Sequence, residues 1–202
     1  MTVEDAREFF DKIPKIKLKD NLSSFLGAFT DGEVVFSYKD IVKSAGHSCP
    51  TVLGAYLMTY KALEELYVNE SPIRGEIKIE FSSKQSDGVT GVISTVMSNI
   101  TGATYDTGFK GLAGNFDRRH LMFFEKDISS NARFTRTDTK NSVDVFYDAS
   151  SINMSEELQS LMQKYLSKKA NEEEIKEFGK LWQKRVEEIS NKIDEVISVV
   201  KI

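Results

Sequence analysis

From Thr51 to Tyr67 apolar side chains occupy almost every face of one helical stretch, and Lys61 is the first charge in it. A helix that is apolar all round has to be covered on every side, so the rest of the chain must build layers about it. Gly54 and Ala55 within it allow a neighbouring element to approach closely. Pro50 stands at its start, where a fixed φ and a missing N–H suit the first helical position.

The flanking segments alternate between two periods. "GEIKIEFSS" places Ile77, Ile79 and Phe81 on one face and Lys78 and Glu80 on the other, which predicts a strand with one wet side. "EVVFSY", Glu33 to Tyr38, follows a "TDG" turn and reads as the first strand. Before it, Val3, Ala6, Phe9, Phe10 and Ile13 recur at helical spacing up to Pro14. Asp40 is placed to cap a short helix ending near Gly46, and "GVTGVISTVMSNITG" reads as a helix between Gly88 and Gly102. Three strands are expected in "RRHLMFFE", "ARFTRTD" and "SVDVFYD", the last two forming a hairpin around Lys140.

Beyond Ala149 the pattern becomes helical. Ser155 opens a helix with Leu158, Leu161, Met162 and Tyr165, and Asn171 and Glu174 have capping-box spacing before a longer one. Ile175, Phe178, Trp182, Val186, Ile189, Ile193, Val196 and Val200 then form one apolar stripe. Strands clustered late with helices at both ends predict an α+β fold with a sheet of about five strands. The expected division is a core over residues 1–149 and an amphipathic helical extension over 150–202, packed on the core or on the mate of a homodimer.

Charge narrows the function. The chain carries 27 basic and 31 acidic residues, a net −4, with both signs interleaved. That offers no basic field for nucleic acid. No signal-peptide core and no apolar run of about eighteen residues are visible, so neither secretion nor a membrane span is expected, and the cytoplasm is the expected compartment. A single cysteine rules out an internal disulfide and a cysteine-only metal cage.

That cysteine is the best site candidate. "AGHSCPTVLGAY" holds Cys49 and one of the two histidines, His47, separated by Ser48. Because Pro50 opens the helix, Cys49 falls at or next to its N-cap, where unpaired N–H groups and the positive end of the dipole favour a thiolate. An extended His-x-Cys turns both side chains to one side, and a thiolate with a neutral imidazole makes a soft donor pair. The plain alternative is a small buried Cys49 and a loop His47, the commoner outcome for so short a motif. Asp87, in "SSKQSDGV", is either a helix cap or a carboxylate for the same metal. Lys110 among Gly108, Gly111 and Gly114 forms either an anion cradle or a flexible turn, without a Walker ending. His120 reads as a structural histidine in a strand, and the Trp182 stripe as packing.

"AGHSCPTVLGAYLMTYKALEEL" and "SSKQSDGVTGVISTVMSNITGAT" together resemble two blocks of the FmdE family of formylmethanofuran dehydrogenase-associated proteins. "GFKG" is similar to a glycine-lysine segment that follows them, and the likeness runs from about Phe36 to Phe124. The resemblance implies a mixed, thioredoxin-like α+β sheet and an active site that binds zinc, with His47 and Cys49 carried over. It implies Thr90, Lys110 and Gly111 as ligand-binding positions. It also implies association with a redox enzyme complex, since the family takes its name from an enzyme of methanogenesis; its own reaction is not established. The family's second block usually carries a cysteine where this chain has Ser86, Asp87 and Thr90, and many members end in a zinc finger that this chain cannot form.

The expectation is therefore an FmdE-like protein holding one divalent transition metal, zinc foremost, on His47, Cys49 and Asp87. Cys49 or a metal-bound water would be the reactive group. A carrier or sensor without turnover, or an accessory subunit of a redox enzyme, would use the same residues.

Overall fold

The computed structural model describes residues 5–202. A 3-10 helix, Asp5–Lys12, buries Phe9 and Phe10 ahead of Pro14; Val3 lies outside the described residues. Strand β1, Ile16–Lys19, then alternates buried and exposed residues. It is followed by the short helix α1, Asn21–Phe25, and by β2, Glu33–Phe36, which pairs antiparallel with β1. Of "EVVFSY" only Glu33–Phe36 is strand, the second of a separate two-stranded sheet rather than the first of the chain, and Ser37 and Tyr38 open the next helix. The missed strand, "IKLK", is four residues long and its alternation is lost among flanking lysines.

Helix α2, Tyr38–Ala45, is capped by Ser37, with Asp40 at the third position of a capping box instead of at the cap. Gly46 ends it with φ 77°, a left-handed conformation that glycine adopts without steric cost. Helix α3, Pro50–Leu66, is the apolar helix of the sequence. It is packed among α2, helix α4 (Thr90–Thr101), helix α6 (Glu172–Ser190) and strands β6 (Ser142–Tyr147) and β7 (Ile197–Lys201), so its apolar run is covered and the charged residues of its last turns reach solvent. Each fully buried Leu, Met or Val along it is worth about 1.5–3 kcal/mol of hydrophobic stabilisation.

The main sheet has five strands in the order β4-β3-β5-β6-β7, where β3 is Ile77–Glu80, β4 is Met122–Phe123 and β5 is Ala132–Arg136. β3 and β4 are parallel and the remaining pairs antiparallel, so the sheet is mixed and the fold α+β, as expected. β5 and β6 form the hairpin foreseen around Lys140. "RRHLMFFE" shrinks to the two residues of β4, and His120 sits outside it, exposed, at φ 58°.

The C-terminal stripe does not run as one helix. After helix α5, Glu156–Leu166, α6 starts at the Asn171–Glu174 capping box and stops at Ser190. A single turn, α7 (Ile193–Val196), leads into β7, which pairs with β6 from Ile197 to Lys201. "VISVVKI" is rich in β-branched residues, and pairing with an open sheet edge outweighs its fit to a helical stripe. The segment expected as a purely helical extension thus supplies the last strand of the main sheet.

Candidate functional site

Gly46 reverses the chain after α2, and His47, Ser48 and Cys49 form a short turn leading into α3. Cys49 is the N-cap, in extended conformation with φ −151° and ψ 167°, and Pro50 takes the first helical position. The Cys49 Sγ accepts the Val52 N–H at 3.4 Å, so the thiol faces the free amide end of the buried helix. His47 is exposed, with Nδ1 3.0 Å from the Ala45 carbonyl. A carbonyl only accepts, so Nδ1 is the donor, and in the neutral ring Nε2 keeps a free lone pair. A backbone carbonyl on the far ring nitrogen is the arrangement that orients metal-binding histidines.

Three other elements hold this turn. The buried Ser48 hydroxyl shares a hydrogen bond with the Tyr38 hydroxyl at 2.9 Å. The Tyr147 hydroxyl, at the end of β6, donates to the Pro50 carbonyl at 2.9 Å. From α6, Trp182 Nε1 and Gln183 Nε2 both donate to the Ser48 carbonyl, at 3.0 and 3.2 Å. Burial raises the Tyr38 phenol and pushes that of Tyr147 up to about 12, so both remain neutral. None of these four residues carries a local motif; sequence reasoning placed Trp182 only as packing.

Asp87 lies in the exposed loop after β3. It does not cap α4 with its side chain: Val89 is the N-cap, and the Asp87 carbonyl accepts the Thr90 N–H at 3.1 Å. Asp87 and Thr90 line an open cavity of about 380 Å³ together with Phe81, Ile93, Ser130 and Asn131. Asn131 Oδ1 accepts the Tyr147 N–H at 2.8 Å, so the cavity is linked through Tyr147 to the carbonyl beside Cys49. The structure thus brings Asp87 and Thr90 to the Cys49 end of the sheet. Among the described residues, however, no three His, Cys, Asp or Glu side chains are grouped closely enough to hold a metal ion. An imidazole and a thiol stand on one short turn, donor types that zinc takes, but Asp87 does not group with them as a third.

Lys110 and Gly111 lie elsewhere. The Phe109 carbonyl accepts the Arg118 N–H, and Arg118 is buried against Gly75 and paired with Asp20. Gly75 precedes β3 and bonds to Thr101 at the last turn of α4, whereas the Asp87 loop follows β3. The Lys110 loop is therefore anchored at the opposite end of β3 from Asp87 and Thr90. His120 stands exposed on a turn, where its amide bonds to the Tyr105 carbonyl.

A family model described as "FmdE, Molybdenum formylmethanofuran dehydrogenase operon" matches residues 45–198. The chain belongs to the FmdE family. The match opens at the His47–Cys49 turn and ends inside β7, so the FmdE span of this chain runs past residue 149 and takes in α5, α6 and α7. A solved structure of a tungsten formylmethanofuran dehydrogenase FmdE-like protein from Syntrophus aciditrophicus is similar over 83% of this chain and 72% of its own, with 13% identity and a TM-score of 0.45. No curated protein matches the sequence. Among the described residues no helix is long and apolar enough to cross a membrane.

Proposed function

We propose that this FmdE-family protein is an accessory component of a formylmethanofuran dehydrogenase-type redox system that binds a divalent transition metal, zinc foremost, through His47 and Cys49. The observation that carries this reading is that both donor residues stand on one turn at a helix N-terminus: Cys49 Sγ faces the Val52 amide, and His47 Nδ1 is engaged by Ala45, leaving Nε2 free. A bound zinc would supply Lewis acidity to a small ligand there. Cys49 is the reactive group, and His47 orients the ion. Asp87 would join as a third donor through a shift of its exposed loop, with the hydroxyl-lined cavity at Thr90 receiving the ligand.

A second reading, a metal carrier or sensor without turnover, is favoured by the donor count. Two donors from one chain leave most coordination positions open, which suits exchange better than a closed structural site. The proposal also includes a cytoplasmic location, where a lone thiol stays reduced, and a homodimer. Support for the dimer comes from Phe25, Leu26 and Phe29, which stand exposed, with Phe25 stacked on Phe116. Of the C-terminal stripe, Val186, Ile189 and Val196 turn into the protein's own core, while Ile175 and Val200 stay exposed.

Metal analysis of protein purified without oxygen tests the reading. Wild type should hold zinc or another divalent ion; Cys49→Ala and His47→Ala should each lose most of it, Asp87→Asn part of it, and His120→Ala none. Full occupancy in Cys49→Ala would return Cys49 to the core.

A further inference from the structure

The donors around the motif turn share one feature. Tyr147, Trp182 and Gln183 all donate to carbonyl oxygens of residues 48 and 50, and two of them meet on the single carbonyl of Ser48. Fixing a carbonyl fixes the plane of its peptide, and the Ser48–Cys49 peptide sets the direction from which Cys49 enters α3. Both lone pairs of that oxygen are used, so the peptide cannot rotate without breaking two bonds to α6. Trp182 is itself braced by Phe178, its ring stacked at 5.7 Å. Gln183 Nε2 is the end of that side chain that finds a protein partner, and the partner is the Ser48 carbonyl.

We propose that Trp182 and Gln183 are positioning residues for the Cys49 thiol: α6 holds the Ser48 carbonyl and thereby keeps Sγ against the Val52 amide. The proposal rests on Cys49 being the ligating group. It makes the FmdE turn dependent on a helix 134 residues further along the chain. It also makes Trp182, the sole tryptophan, a reporter of the site.

The test uses the full chain with zinc as the probe and iodoacetamide as the thiol reagent. Trp182→Phe and Gln183→Met are made singly and together, with Ile175→Ala, at an exposed position of α6, as a control that touches neither hydrogen bond. Thermal melting monitored by circular dichroism establishes that each variant is folded. The double variant should bind zinc about tenfold more weakly, as losses of orienting partners behind a metal ligand do. Its native-state alkylation rate should depart from wild type, because Sγ is no longer held against the Val52 amide, while Ile175→Ala keeps the wild-type values of both. In the wild type, alkylating Cys49 should shift the emission of Trp182. Zinc affinity and alkylation rate equal to wild type in the folded double variant, with Trp182 emission unmoved by alkylation, would overturn the proposal. If wild type binds no zinc, the metal reading fails, and alkylation and emission still decide this one.

Discussion

Trp182 Nε1 lies 3.0 Å from the carbonyl oxygen of Ser48, 134 residues away in sequence. The contact joins α6 to the turn that carries His47 and Cys49, so what stabilises α6 also stabilises the candidate site. Helix α6 begins at a reciprocal capping box, with Asn171 Oδ1 accepting the Glu174 N–H at 2.9 Å and Glu174 Oε2 accepting the Asn171 N–H at 3.0 Å. Asn171→Ala should cost about 1 kcal/mol, read as a lower urea midpoint at unchanged slope.

Tyr38→Phe leaves the buried Ser48 hydroxyl without its partner while keeping the ring that packs on Phe10 and Tyr56. The expected loss is about 1–3 kcal/mol by equilibrium unfolding, the penalty of an orphaned buried hydroxyl. A loss below a few tenths would mean that water replaces the phenol.

Gly54 is the close-approach position of α3. A Cβ there would meet the Tyr147 ring at 2.5–2.7 Å, and that ring is held by its bond to the Pro50 carbonyl. Gly54→Ala should therefore destabilise by about 1–3 kcal/mol, although alanine is the better helix former. Adding Tyr147→Leu should make the pair of changes cost less than their sum in a double-mutant cycle.

Asp20 is buried between Arg74 at 3.0 Å and Arg118 at 2.7 Å. Burial pushes its carboxyl up, but the Ser23 amide and the two guanidinium groups outweigh burial and hold it below the ordinary range. A depressed folded value means the stabilisation is complete above the unfolded value of ~3.9 and is lost as pH falls through the lower folded one. Asp20→Asn should cost about 3–5 kcal/mol near neutral pH, because it strands buried arginine charge. It should also flatten the acid limb of the stability profile.

Deleting residues 197–202 removes β7, including the buried Ile197, and bares the edge of β6. The truncated chain should lose cooperative unfolding or aggregate. A truncated protein as stable as the full chain would make residues 150–202 a dispensable extension.

Much of the fold was legible in short stretches. Alternation in "IKIEF" marked β3, the all-apolar run marked the central helix, and Pro50 placed Cys49 at its N-cap. Asn171 and Glu174 announced α6. What misled were segments whose pattern fits two structures: "VISVVKI" continues a helical stripe and is also rich in β-branched residues, and "RRHLMFFE" has strand composition with only two residues that find a partner.

Helix starts, strand alternation, and the thiol at a helix end beside a histidine are set by a few neighbouring residues. These depend on backbone sterics, capping and local periodicity, which act within one or two turns of chain. Only the tertiary structure decided that the last residues pair as β7, that Asp20 meets Arg118, that Lys110 is anchored away from Asp87, and that Trp182 and Gln183 hold the Ser48 carbonyl. Those outcomes come from satisfying buried polar groups and open sheet edges with partners far along the chain, and no local pattern encodes which partner will be there.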